Sequence, residues 1–409
     1  MQYSEEQGDS LKNRSSKLFR IVYANWPEGY VNQRFIDALV RKYRVSAFFF
    51  DETDTETIRI RQPAISIPPE VEILTIKDPP LLKIPFNLQL VTKRGSVGWV
   101  LKFFVRALFF RRLIRRTHAD LVIGSGVSGT NPYGFCCAFS GYHPFIVLVW
   151  GSDILIEARN SLFFRMIARF VLRKADGVIV DSEVKTRAVI ELGCQKSKIW
   201  NFPWGIDLEL FGTHVEGASI RKQLGWEENK IVISTRNHVA IYGIEHLIRA
   251  IPTVIKAVPE ARFLIIGEGP TTNMLKNMTK ALGIACYARF IGRVPNHDLS
   301  KYLRSADVYV STSFSDGTSV SLLESMACGL PVVVSDVSGN REWVQNGKNG
   351  FLVPIKDSEI LAEKLIFFLQ NDKARELAGS ANLELARAKA NWNQNVNVLY
   401  SVVEKLAAG

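Results

Sequence analysis

Residues 313–331 read SFSDGTSVSLLESMACGLP, and they follow a β-branched run at 307–310 whose pattern predicts a strand. Asp316 and Gly317 mark a loop. From about Thr318 the apolar residues Val320, Leu323, Met326 and Ala327 recur at helical spacing until Gly329 and Pro331 stop the turn. Strand, polar loop and helix in that order set a helix N-terminus beyond the end of a strand, where unpaired backbone N–H groups and the helix dipole favour an anion. Thr318, Ser319 and Val320 are the residues whose amides would face it. Asp316 is suited to accept from sugar hydroxyls, and Glu324, a little over one turn beyond Val320, to hold a ribose diol. The pattern describes a pocket for a nucleotide sugar, with diphosphate on the amides and hydroxyls on the two acids. The same spacing also fits Asp316 as a helix N-cap and Glu324 as an ordinary polar helix residue.

The chain has 409 residues, more than one ordinary core, which predicts two domains. Its net charge of +11 lies almost wholly in the first half, where residues 1–205 carry 29 Lys and Arg against 19 Asp and Glu. The densest part is 99–116, WVLKFFVRALFFRRLIRR, in which Lys102, Arg106, Arg111, Arg112, Arg115 and Arg116 interleave with aromatic and aliphatic residues. A basic helix flanked by aromatics suits an anionic membrane surface. The run also reads as a core helix whose arginines stay in water. Nucleic acid is not expected as a partner, because the basic residues gather on one helix without a recognised binding module.

No window has the uninterrupted apolar length of a membrane span, and residues 1–17 are polar, without a signal-peptide core. They are expected to be a disordered lead-in, and the protein to be cytoplasmic, peripheral on the inner face of the membrane if the basic helix binds lipid. The five cysteines, Cys136, Cys137, Cys194, Cys286 and Cys328, lack metal-ligand spacing and read as small hydrophobes in a reducing compartment; no metal site is expected.

Short apolar runs separated by helical patterns predict parallel, doubly wound sheets in both halves. Strands are expected at 18–24, 45–50, 71–76, 121–123, 145–149 and 177–180, with helices at 31–43, 161–174 and 183–192. A second series follows, with strands at 231–234, 262–266, 288–291, 307–310 and 331–335 and helices at 244–258, 271–282 and 299–304. Pro203 and Gly205 break the chain between the series, so the domains are expected at 18–203 and 204–387. Gly124-Ser-Gly126-Val-Ser-Gly129 fits the dinucleotide pattern G-x-G-x-x-G, but Asn131-Pro132 interrupts it and no acid stands at the required offset on the next strand. It reads as a glycine-rich wall of a cleft before it reads as a nicotinamide or flavin site. The acidic run 51–56 reads as a solvated loop, and His118 and His143 as structural.

Residues 325–332, SMACGLPV, with Asp316 and Glu324 ahead of them, resemble the signature of the retaining glycosyltransferases of family 4. That family shows a glutamate, seven residues and a second glutamate before an A-M-A-C-G-x-P-V run. Here the first acid is Asp316. The resemblance implies the GT-B fold: two doubly wound, Rossmann-like α/β domains facing across a cleft, acceptor side first and nucleotide-sugar donor side second, with a C-terminal helix at 388–409 crossing back. It implies a metal-independent, retaining transfer of sugar from a nucleoside diphosphate to an acceptor hydroxyl, possible in polysaccharide or glycolipid synthesis, with no cofactor beyond the nucleotide-sugar donor and with a lipid-linked or growing-glycan acceptor.

By the same resemblance Arg236 joins Asp316 and Glu324 as the catalytic set. Gly267, Gly269, Arg293, Val294, Gly317, Thr318, Ser319 and Val320 fall to donor binding, and Gly29, Ser152 and Asp153 to the acceptor side. The chain departs from the family in three places. Tyr242 stands where a lysine follows the arginine, Gly29 alone where two glycines are common, and Trp150-Gly-Ser-Asp153 where a histidine is usual, the last resembling a W-G-S-D subgroup of the family. Asp153 also fits a cap for the helix after it. Two other readings stay open: a non-catalytic surface- or polymer-binding relative, and an NAD-linked oxidoreductase.

Overall fold

The computed structural model describes residues 19–25, 30–51, 68, 70–77, 97–128 and 131–408. The lead-in 1–17, Gly29, Gly129 and the acidic residues 52–56 lie outside the described residues.

Thirteen strands among the described residues form two sheets. Strands β1 (Arg20–Ala24), β2 (Arg44–Asp51), β3 (Glu72–Lys77), β4 (Leu121–Ser125), β5 (Phe145–Leu148), β6 (Gly177–Val180) and β7 (Ile199–Asn201) lie in the order β3-β2-β1-β4-β5-β6-β7. Strands β8 (Lys230–Ser234), β9 (Ala261–Ile266), β10 (Ala288–Gly292), β11 (Val308–Ser311), β12 (Val332–Ser335) and β13 (Gly350–Val353) lie in the order β10-β9-β8-β11-β12-β13. Pairing is parallel throughout the second sheet. Parallel strands need crossover connections, and helices supply them. Two α/β sheets with this strand order are what the resemblance to the GT-B fold implies.

The second sheet is buried on both faces, as a near-continuous apolar strand pattern requires. Ile231, Ile233, Tyr309, Val332 and Val334 enter one core, while Val232, Val308, Val310 and Val333 enter the other. β7 and β13 are strands that the apolar pattern did not announce. β7 has only three residues, none of them buried, and in β13 the central pair is half-exposed.

By contacts the chain divides into two compact units. One comprises the described residues up to Gly124, with Cys136–Ile146 and the residues from Glu404; the other comprises Ser125–Phe135 and Val147–Val403. This division falls elsewhere than at residues 203 and 204. In the first unit the basic helix Val97–Thr117 buries Ala107, Phe110 and Ile114, with the Phe110 ring 4.7 Å from Phe48. Arg106 is buried with them. Phe104, Leu108 and Phe109 stay 40, 52 and 37% exposed, on the side that also exposes Arg112, Arg115 and Arg116. In the second unit the last helix, Trp392–Ala407, starts at a bridge from Asn391 to Ile206; Glu404 near its end meets Lys42 at 3.7 Å within the first unit.

Candidate active site

In a doubly wound sheet the crevice opens where strand order reverses, because the crossovers on the two sides leave in opposite directions. In the second sheet that point lies between β8 and β11. The loop after β8 carries Arg236, and the loop after β11 carries Asp316 to Ser319, so topology alone brings the two stretches together.

Arg236 is buried and held from three sides. Its Nη2 donates to Asp316 Oδ2 at 2.6 Å, and Nη1 donates to Ser319 Oγ at 2.5 Å and Ser321 Oγ at 2.9 Å. The Tyr242 ring lies under the guanidinium, 3.9 Å from Cζ to the ring centroid. Burial by itself would lower the Arg236 pKa, but Asp316, with Tyr242 and Tyr309, holds it above its ordinary value. Nε has no hydrogen-bond partner. Tyr242 therefore does not replace the missing lysine's charge; it fixes the plane of the charge that remains.

The helix after the loop runs Val320–Ala327, two residues later than its apolar spacing suggested. Ser319 is its N-cap residue, and the serine side chain turns to Arg236 instead of capping. Among the described residues the backbone amides of Thr318, Ser319 and Val320 donate no hydrogen bond. Glu324 is buried, 4% exposed, on the same helix. Asp316 is half-buried, and Arg236 takes its Oδ2, so an N-cap does not describe it.

Gly317 leaves the space that the end of the Lys185 side chain fills. A Cβ there would stand 2.5 Å from Lys185 Cε and 2.9 Å from its Nζ. Lys185, on the helix Glu183–Glu191, forms a buried ion pair with Asp181 at 2.6 Å. Burial raises the Asp181 pKa, and Lys185 works against that rise. The carbonyl of Asp181 accepts from Thr318 Oγ1 at 2.7 Å. Glu342 accepts from the amides of Glu183 at 3.0 Å and Val184 at 2.9 Å, closing the N-terminus of that helix. The pattern of apolar residues marked the helix but gave Lys185 no role; only the tertiary contact with Gly317 does.

The loops after β9 and β10 complete the strand ends. Gly267 packs on the carbonyl of Arg236 and Gly269 on that of His238, approaches that leave no room for a side chain. His238, which the spacing of residues did not single out, is fully buried. Its Nδ1 meets Thr272 Oγ1 at 2.9 Å, Nε2 is without a partner, and burial lowers its pKa. Arg293 and Val294 line a cavity of about 440 Å³ with Ser219, Gln223 and Lys301. Arg293 has no hydrogen bond or ion pair among the described residues.

Of the acceptor-side residues, Ser152 is exposed and Asp153 buried. Asp153 Oδ2 accepts from the amides of Val127 at 3.0 Å and Trp150 at 3.3 Å, and Oδ1 from Ile154 at 2.9 Å. Oδ2 thus ties the loop at Val127 to the loop at Trp150, and Oδ1 closes on the next residue, so backbone amides engage both oxygens of Asp153. A π-helical turn, Asp153–Glu157, follows. Burial drives the Asp153 pKa up to about 7, against the pull of those amides and of Lys185.

Comparison with known proteins bears on the family and the fold. Residues 217–384 match the model of glycosyl transferases group 1, and residues 59–182 the model of glycosyl transferase 4-like domains. The sulfoquinovosyl transferase of Arabidopsis thaliana is 32% identical over 226 residues, 53% of this chain and 42% of that protein. A phosphatidyl-myo-inositol mannosyltransferase of Mycobacterium leprae is 32% identical over 166 residues, 40% of this chain and 43% of its own length. The chain thus spans less than half the length of these two relatives. Among solved structures, Anabaena HepE in complex with UDP and glucose superposes with a TM-score of 0.73 at 18% identity, covering 96% of this chain and all of that one. Sucrose-phosphate synthase from Thermosynechococcus elongatus gives 0.75 at 19% identity, with 95 and 99% covered. With both halves matched and the fold shared, the chain belongs to the family 4 glycosyltransferases of the GT-B fold.

Proposed function

We propose that the protein transfers a sugar from a nucleoside diphosphate to an acceptor hydroxyl with retention of configuration, in glycolipid or polysaccharide synthesis. The observation that carries this reading is the conjunction of a buried Arg236 with a free Nε and three unbonded amides at Thr318, Ser319 and Val320. Negative charge grows on the departing diphosphate as the glycosidic bond breaks, and preorganised donors stabilise that charge without reorganising. Arg236 and the amides supply them at one end of the sheet, and this set does the work a metal ion does elsewhere. In this reading Glu324 takes the ribose, and Asp316 the sugar once the diphosphate shares Arg236. Among the relatives, the mannosyltransferase named for phosphatidyl-myo-inositol supports a lipid-linked acceptor, and UDP in the HepE structure supports a nucleotide donor. The exposed aromatics and arginines of the helix Val97–Thr117 fit an anionic membrane surface. No helix of the described residues is long and apolar enough to cross a membrane.

The test is a screen of nucleotide sugars for transfer or slow hydrolysis, with and without chelator, the anomeric configuration of the product being read by NMR. Turnover with a retained anomer is the expected result. An inverted product would overturn the retaining assignment, and loss of activity on chelation the metal-independent one. Failure of every nucleoside diphosphate to raise the melting temperature would favour the non-catalytic relative.

A further inference from the structure

The π-helical turn Asp153–Glu157, the helix Leu162–Lys174 and the helix Glu183–Glu191 enclose a cavity of about 220 Å³. Its charge is one-sided: Arg159, Arg165 and Arg169 line it, against Glu191 as the one acid. Arg165 is fixed in place by the carbonyls of Ala158 and Arg159, at 3.1 Å from Nε and 3.2 Å from Nη2. Arg159 and Arg169 have no side-chain hydrogen bond or ion pair among the described residues. Three guanidinium groups converging on a small space with a single carboxylate, Glu191, leave an excess of positive charge, and a structure keeps such an arrangement at a cost unless an anion shares it. Guanidinium forks match the geometry of phosphate oxygens.

What lies beside the cavity narrows the anion. At 100° per residue, Leu162 and Met166 fall on the stripe next to Arg165 and Arg169. They are 73 and 62% exposed, in a helix whose opposite side buries Ile167, Ala168, Val171 and Leu172. Single exposed hydrophobes are ordinary. Two on one stripe, adjoining an arginine-lined cavity with an apolar floor of Ile154, Ala158 and Leu192, match a molecule that is anionic at one end and apolar at the other. We propose that this face binds the phosphodiester headgroup of an anionic lipid, phosphate on the three arginines and acyl region against Leu162 and Met166. The site is distinct from the helix Val97–Thr117, and its existence does not depend on sugar transfer. Ile154 directly follows Asp153, so a lipid held here reports on the same loop that bears Ser152.

The experiment is sedimentation of the full chain with mixed phosphatidylcholine and phosphatidylglycerol vesicles, and with phosphatidylcholine alone. The pair Arg159→Gln and Arg169→Gln removes no intramolecular partner, so folding should be intact, as thermal melting will show. At about 1 kcal/mol for each cation near an anionic surface, vesicle partitioning should fall about 30-fold. Leu162→Ser with Met166→Ser should weaken binding at low and high salt alike, whereas the effect of the arginine pair should shrink as salt is added. Unchanged partitioning of the arginine variant, or equal binding to pure phosphatidylcholine, would overturn the proposal. Full displacement by inorganic phosphate would also overturn it, by assigning the cavity to a free anion.

Discussion

At Gly317 a side chain and a backbone compete for the same space. Gly317→Ala places a methyl 2.5 Å from Lys185 Cε and must push the lysine off Asp181. Overpacking of this kind costs about 1–3 kcal/mol, which urea unfolding will measure. Lys185→Met should be worse, about 3–5 kcal/mol, because it leaves Asp181 buried and alone; adding Asp181→Asn should recover most of the loss. If the double variant is no more stable than the single one, the pair is not the source of the cost. Arg236→Ala should slow transfer by about a hundredfold, the usual effect of removing one donor from a developing oxyanion; an unchanged rate would remove it from the site.

Asp153 gives a pH signature. Its pKa in the fold, about 7, exceeds the ordinary 3.8, so the folded state holds the proton more tightly than the unfolded chain does. The stability this contributes is complete below about pH 4 and is lost as pH rises through about 7. Stability of Asp153→Asn, followed by melting across that range, should therefore rise more steeply, or fall less, than that of the parent. Parallel profiles would contradict the assignment. At this scale the sequence carried residue types better than partners. Arg236 and Asp316 were each legible from their place after a strand, but their pairing was not, since 80 residues separate them. For Asp153 too the partners were out of sight: nothing in the local sequence shows that its oxygens accept from the amides of Val127, Trp150 and Ile154.

Elements were legible wherever an apolar period ran long enough to repeat. The strand at Gly177–Val180 agrees with its reading residue for residue, and the helix expected over 161–174 runs Leu162–Lys174, with Ser161 as its N-cap. Short or half-exposed strands such as β7 carry no such period, and their existence depends on a neighbouring strand edge. The π-helical turn at Asp153–Glu157 was not legible either, because it is set by the two loops that Asp153 ties. The N-terminus of the helix Glu183–Glu191 lacks a side-chain cap of its own and uses Glu342 instead. Glu342→Ala should cost about 1 kcal/mol in unfolding experiments, the typical value of a lost cap, and should raise amide exchange at Glu183 and Val184. Unaltered exchange there would contradict the capping role.

For the whole molecule, two series of strands and helices were enough to predict doubly wound sheets, and the strand order then locates the crevice between β8 and β11. Sequence could not show how the crevice is set. Arg236 is neutralised by Asp316, and three amides beside it stand without partners, a site satisfied in charge but not in hydrogen bonds. Diphosphate binding would exchange one carboxylate for phosphoryl oxygens and free Asp316 for the sugar. The most direct measurement is a crystal structure with a nucleoside-diphosphate sugar that the screen identifies. The account predicts phosphoryl oxygens within hydrogen-bonding distance of the amides of Thr318, Ser319 and Val320 and of Arg236 Nε. Diphosphate bound elsewhere, with those amides bare and the Arg236–Asp316 pair intact, would contradict it.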